Sequence, residues 1–455
     1  MGATKQNDKN AINMTEGNVY RHILLFAIPV FISQLFQQLY NSVDSLIVGQ
    51  YLGKEALAAV SSSGSLIHFL TSFVIGTMQG AGVIVSRFYG ADDEKTVAES
   101  IHTTVVFGLL AGVFVTVLGV GLTPTLLRWM GTAETVLPHS ISYFRLYFAG
   151  GISIVMYNAF RSIMTSLGDS RRPLIYLILS SVLNVILDWL FVGVMGYGVG
   201  SAAVATTVSQ TVSALLCLGH LTDPALSFRL RWRELRMSPR ILREIVRCGV
   251  PAGVQNSVIG LANVLVQTNI NSFGEDAMAA CGSYFKLEGF VFLPITSFSM
   301  ALTTFIGQNL GAGKHDRAKE GARFGLISSC VLTEIIGVLM IVFAAPLIGL
   351  FTKDADVIAI GVREIRTEAL FYFLLSFDHC IAGICRGAGK ASVPMVIMLS
   401  IWCVVRIIYI TVAMRISHQI HLLFWAYPLT WGISAVMFLW YYLKSDWVHG
   451  FDKRI

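Results

Sequence analysis

Four oxygen-bearing side chains stand out within long apolar stretches of this sequence: Asp44, Asn184, Asp188 and Thr206. Asn184 and Asp188 are four residues apart, so a helix puts them on one face. Two carboxylates brought together in a low dielectric cannot both stay ionised cheaply, so they share a proton or hold a cation between them. Asp, Asn and Thr oxygens are hard donors, suited to H⁺ or a transient Na⁺ rather than to a soft metal. The competing readings are internal hydrogen bonding for Asp188, with Asn184 and Thr206 as partners, and interfacial exposure at a span end for Asp44. The second half carries Lys286, Glu288, Glu334, Asp378 and Arg406 inside apolar segments. Ionisable groups there are costly and are functional candidates by default. Lys286, Glu288, Asp378 and Arg406 are accordingly candidates for a cavity or charge role, against a structural ion pair of Asp378 with Lys286 or Arg406. No catalytic residue, resident metal or organic cofactor is expected. His102, His139, His379, His418 and His421 show no metal-ligand spacing and no nucleophile motif accompanies them.

The elements that must position these groups follow from composition. The chain has 455 residues, 55% hydrophobic and 13% charged, with mean hydropathy +0.67. A soluble domain carries about 25% charge, so the solvent for this chain is largely hydrocarbon. A cytosolic enzyme, a disordered scaffold and a secreted disulfide domain are excluded. The net charge of +6 is small and suggests no nucleic-acid partner. The seven cysteines form no Cys-x-x-Cys pair and read as small buried hydrophobes. Residues 1–18 are polar and do not resemble a signal peptide. A membrane-spanning helix needs about 20 apolar residues. Twelve candidates are expected, at 20–49, 56–88, 95–123, 134–164, 172–193 and 198–221, then 240–272, 277–308, 317–348, 357–387, 392–415 and 420–443. A β-barrel is not expected, because these runs are continuous rather than alternating.

Most of the 33 Lys and Arg fall on one side of this topology. Only Lys54, Arg128, Lys353, Arg363, Arg366 and Arg415 fall on the other, while Arg145, Lys286 and Arg406 lie inside spans. Positive residues mark the cytoplasmic face, so both termini are expected there, in the cell (plasma or inner) membrane. The longest basic stretch runs from Arg229 to Arg247 and reads as a topological anchor on anionic lipid. With this orientation Asp44, Asn184, Asp188 and Thr206 all fall at one depth, in the outer half. Pro29, nine residues into span 1, removes a backbone hydrogen bond. It is either a static kink or a hinge that responds to protonation of Asp44.

That basic stretch is also the midpoint of a duplication. Gly53, Ala56 and Ala59 reappear as Gly274, Ala277 and Ala280; Gly90-Ala91 as Gly311-Ala312; Gly168 and Pro173 as Gly389 and Pro394, all at an offset of 221. Pro29 and Pro251 match at 222. The expected fold is therefore an all-α membrane protein of two homologous six-helix lobes, related by a pseudo-twofold along the membrane normal. Its expected divisions are a tail (1–19), an N-lobe (20–222), a basic linker (223–239), a C-lobe (240–445) and a second tail (446–455). Parallel repeats of this kind occur in transporters that bind substrate near the midplane and rock the halves. Neither Gly313-Lys314 nor Gly389-Lys390 completes a phosphate-binding loop. Energy must come from an ion gradient or from a partner protein.

Ile-Pro29, Asn41-Ser-Val-Asp44, Gly90-Ala91, Gly168-Asp169-Ser170 with Pro173, and Asn184-Val-Ile-Leu-Asp188 occur in order in one half. This set resembles the multidrug and toxic compound extrusion (MATE) family of twelve-helix antiporters, over about residues 20–445. The resemblance implies two six-helix lobes and export of amphipathic, often cationic, drugs or metabolites in exchange for H⁺ or Na⁺. It also implies an ion-coupling cluster at Asp44, Asn184, Asp188 and Thr206, and a bending role for Pro29. Asp378 looks like the span-10 acid of other members. The span-7 Glu that partners it there is replaced by Ile259, with Gln255 and Asn256 nearby, which favours coupling in the N-lobe. The expected partners are a small amphipathic substrate and the bilayer, with a monomeric chain. Two alternatives stand beside drug efflux: a flippase or exporter of a lipid-linked or other physiological metabolite, and, more remotely, a non-transporting membrane enzyme or receptor.

Overall fold

The computed structural model describes residues 11–129, 132, 134–226 and 228–449, with backbone alone at 54, 55, 57, 58, 61–66 and 68. The outer parts of both expected tails, 1–10 and 450–455, lie outside the described residues. Among the described residues every regular element is helical. The protein is a multi-pass membrane protein.

Among the described residues, eleven helical segments are long and apolar enough to cross a bilayer. The twelfth expected span, span 4, is broken into Leu137–Ala149 and Gly151–Ser166, each too short alone. The break has a packing cause. A Cβ added at Gly150 would overlap the Thr207 side chain of span 6, and one at Gly151 would sit 2.7 Å from Thr116 Oγ1 of span 3. Span 10 is interrupted at the equivalent place, where Ala355–Glu368 gives way to a 3₁₀ turn, Ala369–Phe371, and then to Tyr372–Gly387. The backbone N–H freed there is satisfied, since Phe373 N donates to Glu334 Oε2 of span 9 at 3.1 Å. Buried non-helical backbone is tolerated at membrane depth only when neighbours supply such partners.

The repeat is also visible in the backbone. Six of the eight left-handed residues among the described residues form pairs 221 apart: Gly53 (φ 83°) and Gly274 (φ 95°), Asp92 (φ 60°) and Gly313 (φ 68°), Gly168 (φ 93°) and Gly389 (φ 70°). Each pair closes the equivalent turn between two helices.

The chain divides into two compact units. One comprises Met1–Asn13 and Ile32–Gly253, the other Met14–Phe31 and Val254–Ile455. Thus the start of span 1 groups with the second unit, and Pro239–Gly253, the start of span 7, with the first. Within the first unit, span 7 meets span 2 through glycines. A Cβ at Gly76 would overlap the Gly253 backbone, and one at Gly80 the Gly249 backbone. This small-xxx-small arrangement lets two backbones approach closely where apolar burial gives little drive. Ala81 and Ile84 pack there with Ile241, Ile245 and Cys248. A second cluster of the same unit joins spans 2 to 6 through Val85, Ile101, Tyr157, Phe160, Leu177 and Cys217.

Candidate functional site

In the first unit, spans 1, 5 and 6 bring the four sequence-selected residues together. Asp188 is 0% exposed, Asn184 1%, and Asp44 and Thr206 8% each. The carboxyl groups of Asp44 and Asp188 lie within hydrogen-bonding reach of one another. Asn184 and Thr206 line a cavity of about 10 Å³ with Tyr40, Ser180, Ser181, Ser209 and Gln210. Such a space holds about one water-sized particle.

Local sequence explains the convergence. Tyr40 and Asp44 are one helical turn apart on span 1, and Ser180, Asn184 and Asp188 make a polar stripe at four-residue spacing on span 5. Just beyond Asp188 the helix widens into a π turn, Trp189–Val194, a form that recurs at functional positions in helices. Thr206 Oγ1 donates to Ala202 O at 3.1 Å, which keeps its lone pairs free to accept. The Tyr40 hydroxyl is hydrogen-bonded by Gln37 and Gln210.

The polar atoms around this cavity are under-satisfied. Asn184 Oδ1 and Nδ2, Ser181 Oγ, Ser209 Oγ and Gln210 Oε1 are buried without a hydrogen-bond partner, and beside the cavity Asp188 Oδ1 and Oδ2 and Asp44 Oδ1 have none outside the carboxyl pair itself. Buried polar groups are normally paired, and each orphan costs about 1–3 kcal/mol. A set of mostly oxygen atoms round a one-particle hole fits a proton, a water or a small hard cation. Sequence reasoning missed Tyr40, Ser180, Ser181, Ser209 and Gln210. Their only signal was helical spacing from Asp44, Asn184 and Thr206.

Pro29 is buried and the first helix runs through it, Val19–Gly53. Asp44 follows in the same helix.

The second unit corrects the expected ion pair. Asp378 bonds neither Lys286 nor Arg406. Its Oδ2 accepts from the Ser434 hydroxyl, which also accepts from Trp402 Nε1 at 2.9 Å. Lys286 is exposed and stands 5.4 Å from the Phe351 ring centre, whereas Glu288, two residues on, is buried. Two residues are about 200° apart on a helix, so their faces differ. Arg406 gives its hydrogen bonds to Thr430 Oγ1, at 3.1 Å from Nε and 2.8 Å from Nη2, and lies over the Tyr427 ring at 4.3 Å.

The family described as MatE matches this chain twice, over residues 29–190 and again over 251–412. The chain belongs to the MatE family. The two matches reproduce the internal duplication. Among relatives of this MatE chain is the "Probable multidrug resistance protein YoeA" of Bacillus subtilis, 30% identical, with 93% of this chain and 94% of the relative covered. Another is a protein of Shewanella oneidensis named "FAD transporter", 25% identical, covering 77% of this chain and 78% of that one. Among solved structures, an outward-facing multidrug resistance MATE family transporter of the MOP superfamily matches with a TM-score of 0.90 at 22% identity, over 99% of this chain and 100% of that one. MatE proteins are membrane transporters of small molecules, with twelve helices in two lobes, and multidrug efflux is the activity for which the family is named.

Proposed function

We propose that this MatE protein is a secondary active antiporter that exports amphipathic, often cationic, drugs or metabolites by alternating access. An ion binds among Asp44, Asn184, Asp188 and Thr206 and drives the exchange. The observation that carries this reading is the pair of side-by-side carboxyls next to a one-particle cavity edged by unpartnered oxygens. Two carboxyls this close share a proton or hold a cation between them, and their mutual hydrogen-bonding reach supports H⁺ as the first coupling ion to test. Both termini are cytoplasmic in this reading, because the basic residues gather on that side. One chain suffices, because the duplication supplies both halves. Pro29 serves as the hinge of span 1, since the helix passes it with a backbone hydrogen bond missing.

The test is efflux from reconstituted vesicles, with pH and Na⁺ gradients imposed separately. Export driven by a pH gradient alone is expected. Export that needs Na⁺ and ignores pH would replace the ion, and export with no gradient at all would overturn the antiport reading. A physiological metabolite is the second reading of the substrate, supported by the relative named an FAD transporter. If no amphipathic dye changes its accumulation on expression while a flavin nucleotide is exported, that reading replaces drug efflux.

A further inference from the structure

The second unit buries three glutamates that the ion-coupling reading above does not use. Glu288 of span 8 is 9% exposed, and Glu364 and Glu368 of span 10 are 1% and 0%. The Tyr284 hydroxyl donates to Glu368 Oε2 at 2.8 Å and lies 2.9 Å from the Tyr372 hydroxyl. Tyr284 is also within hydrogen-bonding reach of Glu288, and the Cys281 thiol of Glu364. Glu364 Oε2 and Glu368 Oε1 are buried with no hydrogen-bond partner.

The charge balance does not close with every acid ionised. Arg406 is the cation that acts on Glu288 and Glu368, yet its hydrogen bonds go to Thr430. The other groups around the cluster are neutral or engaged elsewhere. Tyr372 shares span 10 and Tyr427 approaches from span 12. Glu334 of span 9 accepts from Phe373 N, and Asp378 from Ser434. Three carboxylates and one guanidinium would leave two uncompensated negative charges in an interior that solvates them poorly, and protonation is how such groups relieve that cost.

The position of the cluster adds an independent argument. At the repeat offset of 221, Glu364 and Glu368 fall on Tyr143 and Tyr147. Those two tyrosines lie in the electrostatic neighbourhood of Asp44 in the first unit. The same place in the repeat is thus lined by hydroxyls next to an acid pair in one unit and by the acids themselves in the other.

We propose that Glu288, Glu364 and Glu368, bridged by Tyr284 and Tyr372 and facing Arg406, form a second proton-binding site in the second unit. It extends the ion-coupled reading, but its titration is independent of whether Asp44 and Asp188 couple transport.

The test is an infrared titration of the carboxylic acid band of the full-length protein in lipid nanodiscs, in the Asp44→Asn/Asp188→Asn background, so that failure of the first site is separated from failure of the second. A band that fades as pH rises is expected, and Glu364→Gln/Glu368→Gln should remove about half of it or more. Tyr284→Phe keeps every carboxyl and should move the midpoint by about one pH unit, tenfold in proton concentration. This variant keeps the proposal testable if the double Gln variant fails to fold. A titration unchanged by all these substitutions overturns the proposal. Loss of the band at fixed pH on adding Na⁺ would also overturn it, since the occupant would then be a metal cation.

Discussion

Asn184 carries two orphaned polar atoms and Asp188 two more, all on one turn of span 5 and all within the first unit. Such groups are held against their own solvation and weaken the fold that holds them. Removing them should therefore separate stability from activity. Asp188→Asn and Asp44→Asn are each expected to abolish gradient-driven efflux while the protein still reaches the membrane. Full transport by both variants would remove the coupling assignment. Asn184→Leu deletes two unsatisfied atoms, so its thermal midpoint in detergent should stay level or rise, within about 1 kcal/mol, while efflux falls at least tenfold. A large loss of stability would instead mark Asn184 as structural glue. These residues were legible in the sequence because each is a lone acid or amide in an apolar run. Ser180, Ser181 and Ser209 were not, because hydroxyls in membrane helices commonly serve their own backbone, as Thr206 and Thr211 also do here. Glu364 and Glu368 were missed because Arg363 and Arg366 alternate with them and make the stretch look like a polar span end. The four-residue spacing Glu364, Glu368, Tyr372 was the usable signal.

At the scale of the element, helix starts and turns carry most of the sequence-specific chemistry outside the membrane. Asp93 caps span 3, accepting from Thr96 N at 3.0 Å and Thr96 Oγ1 at 2.5 Å. The Thr96 hydroxyl holds this carboxyl below its ordinary range. A depressed carboxyl stabilises the fold above its unfolded pKa and loses that contribution as pH falls through its folded pKa. Asp93→Ala should therefore cost about 1 kcal/mol near neutral pH, and the difference from wild type should shrink in acid below about pH 4. Chemical denaturation at two pH values checks this. Asp92 next to it holds a left-handed conformation that its repeat partner gives to Gly313. A non-glycine residue is strained there, so Asp92→Gly should raise stability by about 0.5–1 kcal/mol. The sequence located these turns through their repeated glycines. It did not reveal the breaks in spans 4 and 10, because Gly150-Gly151 and Ala369–Phe371 sit in apolar runs long enough to read as unbroken helices.

At the scale of the whole molecule, each unit takes one helix segment from the other half of the sequence. The first takes Pro239–Gly253, the start of span 7, and the second takes Met14–Phe31, the start of span 1. Hydropathy located the helices and the 221-residue repeat located the midpoint, but neither records which helix segment groups with which unit. A chain cut between Thr222 and Pro239 should consequently give two pieces that are degraded when expressed alone. Co-expressed, they should accumulate together in the membrane. Stable accumulation of residues 1–222 alone, protected from protease, would contradict this partition.

The contact of Gly76 and Gly80 with Gly249 and Gly253 has a consequence for how the protein can vary. Every other amino acid is larger than glycine, so mutation at these four positions can only add volume. Elsewhere in a core, a loss in one side chain can be offset by a gain in its neighbour, and drift can proceed in compensated pairs. Here no partner can shrink. This short seam is a one-way boundary for sequence change, brittle beside lipid-facing positions such as Leu110, Leu179 and Val436, which are more than half exposed and free to exchange one apolar residue for another.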